Sequence, residues 1–202
     1  MIESILRRES YTLFLAGQAG SGKSTLAKRI SADYEVHLIS IDDYFLGTSD
    51  DRRATFYKIL KAGQSFRSYC TMLSWWDWSA LDATLNDARL LNKRVIVEGA
   101  LLGPPRFWDN FDSFLFLYVP CEQRFMNLVD RDLWKRGPSE FCTRFLTTNF
   151  AEGFNYKLFI SRLSLSHFNS YVAVIDRALK MVPAQVFLKD LEQSIGVFTQ
   201  RL

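Results

Sequence analysis

Residues 14–30 read FLAGQAGSGKSTLAKRI: an apolar run, a glycine-rich turn closing on Gly-Lys-Ser-Thr, then a helix-like pattern. Gly17, Gly22, Lys23 and Ser24 satisfy GxxxxGK[ST], the spacing of a phosphate-binding P-loop. Each fixed residue answers a physical need. Glycines let successive backbone N–H groups turn inward on an anion, which then sits at the positive end of the following helix. Lys23 supplies a point charge for β- and γ-phosphates, and the Ser24 hydroxyl is placed to ligate Mg²⁺. Gly20, Ser21 and Thr25 complete the set expected around a bound nucleotide. The flanks agree, since residues 11–16 read as a buried strand and residues 23–30 as a helix with Leu26, Ala27 and Ile30 on one face.

Working outward, apolar runs recur at 36–41, 94–97, 114–119 and 171–175, and helical patterns long enough for a crossover separate most of them. Their hydrophobicity is continuous rather than alternating, which implies strands covered on both faces. The expected fold is therefore α/β, a doubly wound, mainly parallel five-stranded sheet with flanking helices. A chain of 202 residues suits one such domain, 1–202. In this architecture the C-terminal strand ends share one edge, and ligands bind along it.

Composition narrows the partners. Lys plus Arg number 25 against 22 Asp plus Glu, so no global basic field favours nucleic acid. No run approaches the ~18 apolar residues of a membrane span, and the N-terminus lacks the apolar core of a signal peptide. The expectation is a soluble protein without membrane partners. Cys70, Cys121 and Cys142 are odd in number, widely spaced and not in a CxxC pair, which argues against a disulfide framework or a zinc site and fits a reducing cytoplasm. His37 and His167 have no metal-ligand partner at useful spacing and read as structural. Residues 182–202, with Pro183 at a helix start, read as a packing helix. Oligomeric state leaves no mark in the sequence.

Acids stand where the strands end. Asp42-Asp43-Tyr44-Phe45 follows the second run, and a carboxylate there can orient an acceptor hydroxyl and take its proton, Asp42 more so than Asp43. Glu98-Gly99 follows the third run, and a carboxylate at that point can hold Mg²⁺ through water, the role of a Walker B acid. The segment 47–79 reads as a helix plus a loop bordering the site, with Asp77 inside Trp75-Trp76-Asp77-Trp78. Tryptophans are more often core residues, yet an aromatic beside a carboxylate suits a substrate with a flat ring and a diol. Residues 122–137 carry Arg124, Arg131, Asp132, Lys135 and Arg136 before Gly137-Pro138, and read as a helix with a cationic face. Arginines on such a lid, about residues 121–150, can close over a triphosphate and exclude water.

Taken in order, Gly17–Thr25, Ile41-Asp-Asp-Tyr-Phe45, Trp76-Asp77, Val97-Glu-Gly-Ala-Leu-Leu102, Arg131-Asp132 and Arg136-Gly137 resemble the uridine kinase and nicotinamide riboside kinase group of P-loop kinases over residues 13–159. The resemblance implies transfer of the γ-phosphoryl of Mg²⁺-ATP to a hydroxyl of a nucleoside-like acceptor. Lys23 and Ser24 match the P-loop pair, Asp42 the catalytic aspartate and Glu98 the Mg²⁺-associated glutamate. Trp76 and Asp77 match the nucleoside contacts, with Tyr44 also set beside the substrate, and Arg131 and Arg136 match the lid arginines.

Two departures bear on the acceptor. Uridine kinases usually read Asp-His-Pro where this chain has Asp77-Trp78-Ser79, and Leu128 replaces an arginine that touches the ribose. Both weaken "uridine" more than "kinase", and leave nicotinamide riboside or pantothenate-type acceptors as alternatives. A rival class is a nucleotide-binding regulatory ATPase without an acceptor. A GTPase is disfavoured, because Asn92-Lys93 is followed by Arg94-Val95 rather than completing a guanine-reading Asn-Lys-x-Asp.

Overall fold

The computed structural model describes residues 5–48, 50, 51, 54, 73–91, 93–100, 103–138, 141 and 145, with the backbone alone for Pro105, Arg136, Tyr171–Asp176 and Ala178–Val182. The strands are β1 (Tyr11–Gly17), β2 (His37–Ser40), β3 (Arg94–Gly99), β4 (Ser113–Tyr118), β5 (Tyr171–Asp176) and β6 (Ala178–Val182). Between them lie α1 (Lys23–Tyr34), a 3₁₀ turn (Ile41–Tyr44), α2 (Trp78–Leu91), α3 (Pro105–Trp108), α4 (Cys121–Leu128), a π-helical turn (Val129–Leu133) and the short α5 (Trp134–Arg136).

The strands form one sheet in the order β2-β3-β1-β4-β5-β6. Strand β1 runs parallel to β3 and β4, β2 parallel to β3, and β5 parallel to β4, while β6 turns back antiparallel on β5. The sheet therefore has six strands where five were expected. Strand β6 escaped the sequence reading, and Val182, taken there as the start of a helix, closes it. The rest of that expected helix, His167, Cys70, Cys142 and most of segment 47–79 lie outside the described residues.

Every residue of β1 is buried, as a central parallel strand covered on both faces requires. Side chains alternate across a strand. Tyr11, Leu13 and Leu15 face α1 and its surroundings, packing with Ala27, Ile30, Val36, Ile96, Leu115 and Leu117. Phe14 faces the other way into an aromatic layer, with ring centroids 4.9 Å from Phe111, 5.8 Å from Phe114 and 6.5 Å from Phe107. Helix α2 covers this side through Trp78, Leu81, Leu85 and Ala88, a stripe at helical spacing. Asp77 begins that helix, its Oδ1 accepting the Ala80 N–H at 2.9 Å, an N-cap worth about 1 kcal/mol.

Because β1 to β5 are parallel, Gly17, Ser40, Gly99 and Tyr118 all finish at one edge of the sheet. Strand β2 lies at the end of the sheet, and His37, expected to be structural, is solvent-exposed on it. Among the described residues no helix is long and apolar enough to cross a membrane.

Candidate active site

The loop after β1 turns through Gly20 (φ 82°) and Gly22 (φ 83°), both in the left-handed region that glycine enters without strain. Gly22 caps α1 without a side-chain hydrogen bond, and the first turn of the helix carries no acid. The first intrahelical bond runs from the Leu26 N–H to the Gly22 carbonyl, so the amides of Lys23, Ser24 and Thr25 have no acceptor within the helix. Three amides, a lysine and a positive helix end converge there. An anion is the ligand this arrangement suits.

Beside that helix end, the Ser24 hydroxyl donates to Glu98, at 3.2 Å from Oε1 and 3.1 Å from Oε2. Glu98 is only 7% exposed and is the penultimate residue of β3, before Gly99. A second hydroxyl, from Ser40, donates to Glu98 Oε1 at 2.9 Å. Ser40 and Glu98 are register partners across β2 and β3, so their side chains emerge together at the strand ends. These hard oxygen donors, a buried carboxylate and a hydroxyl beside a phosphate-type loop, fit Mg²⁺, which favours one or two carboxylates together with substrate phosphates. Among the described residues, no cluster of three or more His, Cys, Asp or Glu forms a separate all-protein metal cage.

The 3₁₀ turn holds Asp42 and Asp43 exposed at the end of β2, with Tyr44 half-buried. Ile41 packs beneath it against Gly99, where an added Cβ would come within 2.8 Å of Ile41 Cδ1. The chain from Phe45 then pairs with the tryptophan segment. Asp77 N–H donates to the Tyr44 carbonyl at 2.9 Å, and Leu46 N–H to the Trp75 carbonyl at 2.9 Å. Two motifs more than thirty residues apart are thus stitched side by side through their backbones.

The tryptophans divide. Trp76 and Trp78 are buried, with ring centroids 6.4 Å apart, and Trp78 lies 5.7 Å from Phe107 while its indole N–H donates to the Leu73 carbonyl at 2.7 Å. They belong to the aromatic core. Trp75 is half-buried and stacks on Phe45 at 6.2 Å.

Residues 122–137 depart from a single cationic helix. Arg124 is 2% exposed, and its Nε–H donates to the Val119 carbonyl at 2.9 Å while Nη1 reaches the Ala19 carbonyl at 3.5 Å. It braces the P-loop from behind instead of facing solvent. Asn127, which drew no attention in the sequence, donates to the Gly20 carbonyl at 2.9 Å. A Cβ on Gly20 would sit 2.6 Å from the Arg124 carbonyl oxygen, so the glycine also admits α4. Leu128 packs with Phe141 and Phe145, close under the same loop. Arg131, by contrast, is exposed on the π-helical turn and grips Asp132 with both Nε (3.1 Å) and Nη2 (2.7 Å). The side chain of Arg136 lies outside the described residues.

No family model matches the chain, and no curated protein matches it. Among solved structures it is similar to a gluconokinase from Sinorhizobium meliloti 1021 (15% identical, 96% of this chain and 97% of that one, TM-score 0.46). It is also similar to a sugar kinase from Janibacter sp. HTCC2649 (15%, 93% and 95%, 0.46) and to the protein TT1252 from Thermus thermophilus (13%, 96% and 99%, 0.48). Likeness at this level says nothing of chemistry, which is read from the residues above.

Proposed function

We propose that this protein is a kinase that moves the γ-phosphoryl group of Mg²⁺-ATP onto a hydroxyl of a small, nucleoside-like molecule. The observation that carries this reading is the meeting of Ser24 with Glu98 at the head of the P-loop helix, on the same sheet edge where β2 delivers Asp42. Gly17, Gly20, Ser21 and Gly22 shape the loop, and the amides of Lys23, Ser24 and Thr25 bind phosphate oxygens. The Lys23 ammonium neutralises the β- and γ-phosphates. Ser24 and Glu98 would hold Mg²⁺, which would supply charge neutralisation to the phosphates.

Asp42 accepts a hydrogen bond from the acceptor hydroxyl and orients its oxygen in line with the γ-phosphorus. As the new P–O bond forms and the bond to ADP breaks, the hydroxyl proton passes to the Asp42 carboxylate and then to solvent. Tyr44 and Asp77, at the backbone pairing beside Asp42, form the wall against which the acceptor rests, with Trp76 buried behind it. Arg131 and Arg136 bring positive charge over the transferring group when the lid closes, and exclude water from it.

One observation favours a second reading, a nucleotide-binding regulatory ATPase. Trp76 and Leu128, two positions where the resemblance puts substrate contacts, are buried in apolar packing. ADP release from Mg²⁺-ATP separates the two, measured with uridine, cytidine, nicotinamide riboside, pantothenate and simple sugars, and with Lys23→Ala as the blank. The kinase reading expects one acceptor to stimulate release, and Asp42→Asn to lower that stimulated rate by about 10²–10⁴-fold while ATP still binds. Release that no hydroxyl compound stimulates is the outcome that favours the ATPase.

A further inference from the structure

The mechanism above leaves one polar side chain at the strand edge without a role. Ser40 ends β2 in direct register with Glu98, and its hydroxyl donates to Glu98 Oε1 at 2.9 Å, a shorter bond than either contact from Ser24. We propose that Ser40 is a positioning residue for the divalent cation: it fixes the Glu98 carboxylate in the orientation that receives Mg²⁺ and ties that carboxylate to the strand end bearing Asp42. This rests on the nucleotide-binding reading of the P-loop.

The geometry gives the reason. A carboxylate can accept about four hydrogen bonds, two per oxygen. Ser40 occupies one site on Oε1, and Ser24 spans both oxygens. Ser24 sits on α1 at the phosphate-type loop, so its hydroxyl is drawn into the coordination of a bound cation. Ser40 sits on the sheet, away from the loop, and its hold on Glu98 persists with and without the metal. A buried side chain with one fixed anchor keeps its rotamer when the other partner changes duty, and such outer contacts commonly set metal affinity. The anchor also has an address. Ser40 is separated from Asp42 by Ile41 alone, and Ile41 is wedged against Gly99, the residue after Glu98. The hydroxyl that anchors the metal-side carboxylate and the acceptor-side carboxylate therefore share one short piece of backbone.

The test is the Mg²⁺ dependence of nucleotide affinity, followed by titrating Mg²⁺ onto protein with a fluorescent ATP analogue, and repeated in EDTA. Ser40→Ala is expected to raise the half-saturating Mg²⁺ concentration about tenfold and to leave the affinity in EDTA unchanged. Ser40→Thr, which keeps the hydroxyl, should return the Mg²⁺ dependence toward that of the parent protein. Equal Mg²⁺ dependence in the parent and Ser40→Ala would overturn the inference, as would an equal loss of affinity with Mg²⁺ and in EDTA, which marks damage to the loop rather than loss of cation positioning. Failure of the underlying reading looks different: the parent and Lys23→Ala would then bind the nucleotide equally, or neither would bind it.

Discussion

The two ends of the parallel sheet are built from opposite materials. At the C-terminal edge, polar groups are paired with one another: the Ser24 and Ser40 hydroxyls on the Glu98 carboxylate, the Asp77 backbone N–H on the Tyr44 carbonyl, and Arg124 and Asn127 on the P-loop carbonyls. At the N-terminal end, Ile5, Leu6, Tyr11 and Val36 close an apolar plug, and the buried hydroxyl of Tyr11 has no hydrogen-bond partner among the described residues. The β1 strand joins the two over about 20 Å, at ~3.3 Å per residue. This division teaches where function can be changed without unfolding the chain. Substitutions of the residues assigned to phosphate, cation or acceptor at the polar edge should move binding and turnover, and those at the apolar end stability alone; Arg124, buried behind the P-loop, belongs with the fold.

The largest effect tests the polar edge most directly. Lys23→Ala should lower kcat/KM for Mg²⁺-ATP by roughly 10²–10³-fold, the scale for removing one preorganised charge or donor from a phosphate site. The half-buried lysine contributes little packing, so the urea midpoint should hold. A variant that lost stability and activity together would break the comparison, because the polar edge would then also be holding the fold.

How much of this was legible beforehand differs residue by residue. The β1 strand, P-loop and α1 were readable because phosphate binding constrains residue types at short, fixed spacing. Glu98 was readable as an acid that ends an apolar strand. Ser40 was not, since a serine before Ile41-Asp42 looks like an ordinary strand terminus, and only the β2–β3 register sets it beside Glu98. Arg124 misled for the same reason: a charge on a helix reads as solvated, and the carbonyls that bury it come from another part of the chain. Trp76 read as a substrate contact because it stands beside Asp77. It is buried next to Trp78, ring centroids 6.4 Å apart, in a core so close that an added Cβ on Gly103 would lie 2.8 Å from Trp78 Cζ3. Local chemistry survives in sequence, whereas long-range contact does not.

Two arginines on neighbouring turns sharpen the comparison at middle scale. Arg131 is exposed and paired with its neighbour Asp132, a surface ion pair worth about 0–1 kcal/mol. Arg131→Ala should leave the urea midpoint nearly unmoved while kcat falls on the order of 10²-fold. Arg124→Leu should do the reverse in stability, because the Val119 carbonyl loses a buried donor, at a cost of about 1–3 kcal/mol. Equilibrium urea unfolding beside steady-state kinetics on both variants gives the contrast. If both arginines cost stability equally, the lid is part of the folded core and does not close as an independent element.

The smallest effect belongs to the apolar end. Burial pushes the Tyr11 hydroxyl up from 10.0 to about 12, with Arg94 pulling it down and Tyr34 pushing it further up. The folded state therefore keeps a proton that the unfolded chain sheds near pH 10. Stability from this group is complete below pH 10 and is lost as pH rises from about 10 towards 12, because the unfolded state binds fewer protons in that window. Tyr11→Phe removes the titrating group, so the parent-minus-variant difference in stability should fall as pH rises through that window, measured by urea unfolding at stepped pH. At neutral pH the same change deletes a buried hydroxyl without a partner among the described residues, so stability should stay within about 1 kcal/mol or rise. Nucleotide affinity should not change, since the substitution lies a full strand length from Lys23. An altered affinity in Tyr11→Phe would mean that β1 transmits packing changes along its whole length, and that the two ends of the sheet are not the separate territories their chemistry suggests.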